Sequence, residues 1–159
     1  MTDTDHVSKV AELIGDFRIG MLTTHDESGD IEAHPMRVQE TEFDGDLWFL
    51  LSDESGPARN LRGDQRAAVV FASNDTWLSL KGSAQVVPSR DKVRELWSAE
   101  AEAWFPEGPE DPHASVVKFT AEGAEYWDTP GGRVASVFSF VKSKVTGDTL
   151  DADNAKVDL

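Results

Sequence analysis

The sequence predicts a mainly β fold, a small antiparallel barrel with helices attached to it. Short apolar runs of strand length follow one another from residue 19 onward, and turn residues separate them. The segment 25–30 and the Asp44-Gly45 pair are typical of hairpin turns. Helical spacing appears only in a few separate segments, which argues against the alternating strands and helices of a parallel sheet.

The predicted strands number five to seven and are bounded by turn residues. Pro35 lies within the second of them, so that strand is expected at a sheet edge or at a bulge. Gly82 interrupts the longest run. The predicted strands are Ile19 to Thr24, Ile31 to Gln39, Leu47 to Leu51, Ala67 to Phe71, Thr76 to Val87, Ser115 to Thr120 and Ala124 to Trp127.

Helices are predicted at the start, in the middle and near the end of the chain. The second of them has Ser55 as its N-cap, Pro57 in its first turn and Gly63 at its end, a pattern typical of helix boundaries. The predicted helices span Val7 to Phe17, Pro57 to Leu61, Pro88 to Trp104 and Val134 to Val145. We expect one domain over residues 1–146 and a polar tail over residues 147–159.

Composition limits the kinds of partner that the protein can have. The chain has 159 residues, with 30 Asp and Glu against 15 Lys and Arg, and its formal net charge is −15. A field of that sign repels nucleic acid and anionic membrane, so neither is an expected partner. The sequence has no cysteine, which excludes disulfides, thiolate catalysis and cysteine-ligated zinc.

Other common classes of site and location also lack support in the sequence. The four histidines do not have the spacing of metal ligands, so no metal site is expected. Glycine-rich dinucleotide and P-loop motifs and the nucleophile elbow are missing as well. No apolar run reaches the roughly 20 residues that span a bilayer. The acidic start, Met1 to Asp5, does not resemble a signal peptide, so we expect the protein in the cytoplasm.

The helix that begins after Ser55 is the best candidate for an anion site. A helix N-terminus offers free backbone N–H groups and a partial positive charge. The Ser55 hydroxyl and the guanidinium groups of Arg59, Arg62 and Arg66 add donors in an otherwise acidic chain. The alternative is that these arginines only complement the C-terminal end of the helix dipole, which is a common arrangement.

Two further groups of residues are candidates for ligand contact. The proline of His34-Pro35-Met36 leaves backbone groups free within a strand, and His34 is a donor that titrates near neutrality. The alternative is an edge-strand proline beside a solvated histidine. Trp104 follows a helix and precedes a proline-rich loop, so it is expected in a pocket wall or an interface, whereas core packing is favoured for Trp48 and Trp97.

Five segments, in the same order over nearly the whole chain, resemble a known family. The run Trp104 to Pro112, with the pattern Trp-Phe-Pro-x-Gly-Pro-x-Asp-Pro, is the most specific of them. The segments are Glu42 to Phe49, Glu95 to Trp97, Ala103 to Pro112, Ala124 to Asp128 and Lys156 to Leu159. They resemble the general stress protein 26 type of the pyridoxamine 5'-phosphate oxidase-like, FMN-binding split-barrel superfamily.

The resemblance implies a six-stranded split barrel that forms a homodimer with two FMN sites at the dimer interface. It also implies an oxidoreductase-like stress protein that acts with flavin on an unknown small molecule. Oxidation of pyridoxamine phosphate itself is not expected, because the segment that holds that substrate has no counterpart here. The residues expected to contact the cofactor are His34, Met36, Leu51, Ser52, Ser55, Pro57, Arg59 and Trp104.

This chain departs from the family pattern at three positions that normally face the phosphate. Family members usually carry Arg at the position of His34, Thr at Leu51 and Lys at Pro57. A hydrogen bond to a charged group contributes about 1.5–3 kcal/mol, so the loss of two lowers affinity by roughly several hundred-fold or more. One alternative is therefore a non-catalytic split-barrel protein that no longer binds flavin tightly. Another is a haem or deazaflavin ligand, with His34 as the basis for haem.

Overall fold

The computed structural model of the chain describes residues 3–39, 43–128 and 153–159. Within these residues the chain forms three α-helices and seven strands, all paired antiparallel, and the predicted mainly β fold class is confirmed. The helices are α1 (Asp3–Gly15), α2 (Gly56–Gly63) and α3 (Arg90–Leu96). The strands are β1 (Ile19–His25), β2 (Ile31–Arg37), β3 (Asp46–Ser52), β4 (Arg66–Ala72), β5 (Thr76–Val87), β6 (Ala114–Asp128) and β7 (Asp153–Asp158).

The strands form one sheet in the order β2-β1-β4-β5-β6-β3, and β7 also pairs with β6. The two end strands, β2 and β3, come into contact with each other, which curves the sheet into a split barrel. Pro35 therefore lies in an end strand, as predicted for a residue that cannot donate to a ladder. No helix in the described part of the chain is long and apolar enough to cross a bilayer.

The long strands β5 and β6 form the largest ladder of the sheet. Their register shifts between Lys81 and Gly82, so the glycine that interrupts the predicted strand marks a bulge. β6 is one strand of 15 residues, where the sequence predicts two. It continues through Gly123 because β5 pairs with one edge while β3 and β7 pair with the other.

The main core lies inside the barrel and beneath α1 and α2. β3 contributes Leu47, Phe49 and Leu51, which alternate with half-buried residues along the strand. A second, smaller cluster lies where α3 packs on β6, and it includes Val93 and Phe105. The main cluster consists of Val10, Leu13, Ile14, Leu22, Met36, Leu47, Phe49, Leu51, Ala58, Leu61, Val69, Phe71, Leu78, Leu80, Ala84, Val117, Phe119, Ala121, Ala124, Tyr126 and Val157.

The third helix is shorter than predicted, since α3 ends at Leu96 and the chain turns before Trp104. Arg90 donates to the carbonyl oxygens of Pro109 and Asp111 at 2.7 and 2.8 Å, which fixes the helix against the returning segment. The turn brings Phe105 back into the smaller cluster, which a straight helix would not do. Packing therefore ends the helix before its sequence pattern does.

The end of the chain joins the sheet. Asp153–Asp158, which the sequence assigns to a polar tail, form β7 beside residues 123–128 of β6. Val157 is buried in the main core, whereas Lys156 and Asp158 are exposed. The helix predicted over Val134 to Val145 lies outside the described residues.

Candidate functional site

The N-terminus of α2 is positioned by the turn that leaves β3. Ser55 is the N-cap, and its hydroxyl oxygen accepts a hydrogen bond from the Ala58 N–H at 3.4 Å. Arg59 N–H donates to the Ser55 carbonyl oxygen at 3.1 Å, and Pro57 has no N–H. Among the described residues, nothing accepts from the Gly56 N–H. This end of the helix therefore presents one backbone donor and one hydroxyl donor.

Two cationic or titratable side chains converge on Gly56. A Cβ atom placed on this glycine would lie 3.5 Å from His34 Nε2 and 4.0 Å from Arg59 Nη2. The other terminal nitrogen of Arg59 donates to the Glu54 carbonyl oxygen at 2.6 Å, which fixes the guanidinium beside the turn. Hydroxyl, backbone N–H, imidazole and guanidinium groups thus surround one point, which suits an oxyanion.

His34 also carries a buried ring nitrogen without a partner. Its Nδ1 atom is buried and has no hydrogen bond within the described part of the chain. The side chain as a whole is about one third exposed, so its other edge faces the space beside Gly56. An unsatisfied buried polar atom of this kind is uncommon and points to a functional or ligand-dependent arrangement.

A carboxylate lies at the same place. Glu32 Oε2 is 3.8 Å from His34 Nε2 and accepts a hydrogen bond from Asn60 Nδ2 at 3.1 Å. The same amide nitrogen lies 3.0 Å from the Oγ1 atom of Thr24, which is fully buried. The contacts of Asn60 connect α2 to β1 and β2, and they hold the Glu32 carboxylate beside the imidazole.

The turn before α2 has a titratable pair of its own. His113 Nδ1 lies 3.1 Å from Asp53 Oδ1 and 3.7 Å from Glu54 Oε1. The hydrogen bond with Asp53, together with the Glu54 charge, raises the pKa of His113 above its ordinary value. The Asp53 N–H also donates to the His113 carbonyl oxygen at 2.9 Å, so this pair fixes the turn to the start of β6.

The remaining predicted contact residues do not join this cluster through their side chains. Met36 and Leu51 lie in the main core, and Pro57 is buried at the start of α2. The Ser52 hydroxyl oxygen accepts from the Glu54 N–H at 3.2 Å, within the turn. Trp104 is 82% exposed, so among the described residues it is a surface side chain.

Sequence reasoning missed Glu32 and Asn60. Glu32 precedes His34 by two residues in a strand, a spacing that places both on one face. Asn60 follows Gly56 by four residues in a helix, which also places them on one face. These periodicities were a usable signal once His34 and the helix start were candidates.

A separate cleft of about 520 Å³ lies between the end of β2 and the segment that follows α3. Arg37 and Glu100 form an ion pair at its wall, and Trp97 lines it. The Trp97 Nε1 atom is buried and has no hydrogen bond partner in the described residues. The cleft has the size of a small-molecule site; Arg37 gives it N–H donors and Trp97 gives it an aromatic surface.

Comparison with known proteins identifies a family for the chain. The family model described as pyridoxamine 5'-phosphate oxidase-like matches residues 5–151. The protein bli-3 of Neurospora crassa is 30% identical over 142 residues, covering 82% of this chain and 68% of that protein.

Solved structures give the same result. A crystal structure assigned as general stress protein 26 from Jannaschia sp. CCS1 superposes with a TM-score of 0.80 at 28% identity, covering 98% of this chain and 99% of that one. A general stress FMN/FAD binding protein from Xanthomonas citri superposes with a TM-score of 0.66 at 26% identity, covering 76% of this chain and 89% of that one.

Proposed function

The chain belongs to the pyridoxamine 5'-phosphate oxidase-like family, and we propose that it is an FMN-binding, oxidoreductase-like general stress protein. The observation that carries the proposal is the convergence of His34, Arg59 and the free Gly56 N–H at the start of α2. A phosphate group needs this combination of charge and directed donors. The similarity to an FMN/FAD binding stress protein supports the same ligand class.

The residues present fit a flavin phosphate. His34 directs its Nε2 atom toward the same point, 3.5 Å from a Cβ placed on Gly56. Gly56 leaves the space between His34 and Arg59 open, and the Ser55 hydroxyl adds a donor there. Leu51 offers no donor, because its side chain lies in the core, so the affinity should be lower than in relatives with threonine there.

FMN, when bound, supplies the redox chemistry. The chain's own residues would bind the phosphate and orient the ring, and no side chain is required as a general acid or base. The cleft beside Trp97 is where we propose that the second, small-molecule ligand binds. We further propose that the protein works in the cytoplasm.

We propose that the functional unit is a homodimer. The outer face of the sheet carries apolar side chains that are between about one third and one half exposed: Ile19, Met21, Val70, Trp77 and Trp127. Met21 is paired in register with Val70, and Trp77 with Trp127, so these residues form adjacent pairs rather than isolated positions. A continuous exposed apolar face of this kind is typical of a protein interface.

Light scattering after size exclusion tests the dimer. The native chain should elute at twice the monomer mass, and Val70→Asp should shift it toward the monomer. Gln85→Asp adds the same charge at an exposed position of β5 outside the apolar face, so it should remain dimeric. A native chain at monomer mass would overturn this part of the proposal.

A flavin titration tests the phosphate site. FMN should quench tryptophan fluorescence and the protein should show visible flavin absorption. Arg59→Ala should weaken FMN binding by about 10- to 100-fold, which is the range for one hydrogen bond to a charged group. Arg66→Ala is the control, because it removes the same charge from a residue that pairs with Asp64 elsewhere. A colourless protein whose fluorescence ignores FMN would reject the proposal.

The alternative function is a non-catalytic split-barrel protein that has lost tight flavin binding. The burial of Leu51 and Pro57 favours it, because neither donates to a phosphate, and so does the Glu32 carboxylate beside His34. Copurified FMN that a nicotinamide cofactor reduces would eliminate this alternative. Pro57→Lys should raise FMN affinity if the lost donor is the cause.

A further inference from the structure

His34 stands in a charge environment that changes when a phosphate arrives. Its Nε2 edge faces both the Glu32 carboxylate, 3.8 Å away, and the position beside Gly56 where the phosphate is proposed to bind. Because Asn60 holds the Glu32 carboxylate, the carboxylate stays near the ring. A bound phosphate would therefore place a second anion within a few ångströms of the same nitrogen.

A neutral imidazole cannot satisfy two anions at one nitrogen. It has one N–H and no charge, whereas the imidazolium has an N–H at both Nε2 and Nδ1 and a positive charge. Opposite charges at this range favour the charged form of a titratable group. The imidazolium also carries an N–H at Nδ1, which is buried and has no acceptor among the described residues. This edge of the ring opposes protonation, so the two anions at Nε2 must outweigh that cost.

We infer that His34 takes up a proton from solvent as FMN binds, so that it makes phosphate recognition by this chain proton-dependent. The inference rests on the proposed flavin site and adds the residue that sets its pH response. Histidine is the side chain whose charge ordinarily changes between about pH 5 and 8. An arginine at this position would bind the phosphate without any such dependence.

Other polar and charged groups on β2, α2, β1 and the turn before α2 could also contribute to the pH dependence of phosphate binding. Glu32 lies on the same strand, while α2 contributes Arg59, which stays charged, and Asn60, which does not titrate. The turn before α2 contributes the Asp53, Glu54 and His113 group described above. β1 contributes Thr24, which also does not titrate.

Isothermal titration of FMN against pH tests the inference by binding alone. The dissociation constant of the native chain should rise by up to about ten-fold per pH unit between about pH 7 and 8.5, the limit for uptake of one proton. Titrations at about pH 8 in two buffers of different ionisation enthalpy should report about one proton bound per FMN. Riboflavin, which lacks the phosphate, should show neither effect.

Variants assign the proton to one residue. His34→Arg should bind FMN without pH dependence, and His34→Gln should bind weakly, also without it. Glu32→Gln should retain part of the pH dependence, because His34 still takes the proton there. His113→Gln and His25→Gln are matched controls that should retain the native slope.

The outcomes separate this inference from the proposal on which it depends. Absence of FMN binding at every pH in the native chain would reject the flavin site itself. FMN binding with a flat pH profile would reject only the role of His34. A slope that disappears in Glu32→Gln or His113→Gln but persists in His34→Gln would assign the proton elsewhere and overturn the inference.

Discussion

Gly82→Ala should destabilise the protein more than the addition of one methyl group suggests. A Cβ at this position would lie well inside contact distance of the Thr120 carbonyl oxygen. It would also lie 3.0 Å from the Thr120 carbonyl carbon and 3.2 Å from Ala121 Cα. These are backbone atoms of the paired strand β6, and they cannot move aside as a flexible side chain can. The ladder must separate at the bulge or the bulge must be rebuilt.

The magnitude follows from two costs. Overpacking in a well-packed region costs about 1–3 kcal/mol, and each ladder hydrogen bond that is lost adds about 0.5–1.5 kcal/mol. With one or two bonds lost, the free energy of unfolding should fall by about 3 kcal/mol or more. For a chain of this length that corresponds to a decrease in the melting temperature of roughly 6–12 °C.

Urea unfolding followed by tryptophan fluorescence measures the effect, with Gly123→Ala as the matched control on the neighbouring strand. A Cβ on Gly123 meets Lys81 Cε at 2.7 Å, the far end of a flexible side chain, so the change should cost less than about 1 kcal/mol. If Gly82→Ala leaves the free energy of unfolding within about 1 kcal/mol of the native value, the steric argument is wrong.

Three further changes have defined outcomes. Asp53→Asn should lower the pKa of His113, because the hydrogen bond with Asp53 is the main cause of the raised pKa, and NMR titration measures the change. In the native chain, the stabilisation by this pair is complete below about pH 6.5 and is lost as pH rises through the folded-state pKa of His113. Burial raises the pKa of Asp128, but the hydrogen bonds from Lys9 and Thr76, together with the Lys9 charge, outweigh it and lower the pKa. Asp128→Asn should therefore cost about 1 kcal/mol near neutrality, and the difference from the native chain should shrink as pH falls below about 4 in urea titrations. Trp104→Ala should change the free energy of unfolding by less than about 0.5 kcal/mol, yet weaken FMN binding if the exposed ring contacts flavin in the dimer.

Local chemistry made the short helix α2 predictable from sequence. Ser55 as N-cap, Pro57 in the first turn and Gly63 at the end each act within a few residues, so no tertiary information was needed. The position of Pro35 at a sheet edge was predictable for the same reason, because the missing N–H is a property of the residue itself.

Elements that depend on distant partners were not predictable. The single strand β6 extends across Gly123 only because three strands pair with it, and β7 has a polar sequence with Val157 as its buried anchor. In β3, the apolar run from Leu47 to Leu51 shows no alternation between polar and apolar residues. The sequence therefore could not tell that Leu51 faces the core rather than the ligand.

Only part of the candidate site was predictable from the sequence, for a related reason. His34, Ser55 and Arg59 were identified because imidazole, hydroxyl and guanidinium groups suggest anion binding wherever they occur. Glu32 and Asn60 suggest nothing by themselves, and only the approach of α2 to the edge strand brings them together. Their contribution is to place a negative charge where a phosphate site would ordinarily have none.

The net charge of −15 opposes the binding of a ligand with many phosphates more than the binding of a ligand with one. Interactions between exposed charges are screened beyond about 10 Å at 0.1 M salt, whereas contacts with donors at the start of α2 act within about 4 Å and are screened much less. A single flavin phosphate needs only the one cluster of donors at the start of α2. These short-range contacts can hold it against the long-range repulsion, which salt weakens. A nucleic acid would place many phosphates in the repulsive field of a chain with a net charge of −15. The same composition therefore argues against a polyanion as a partner and still permits the mononucleotide cofactor proposed for this barrel.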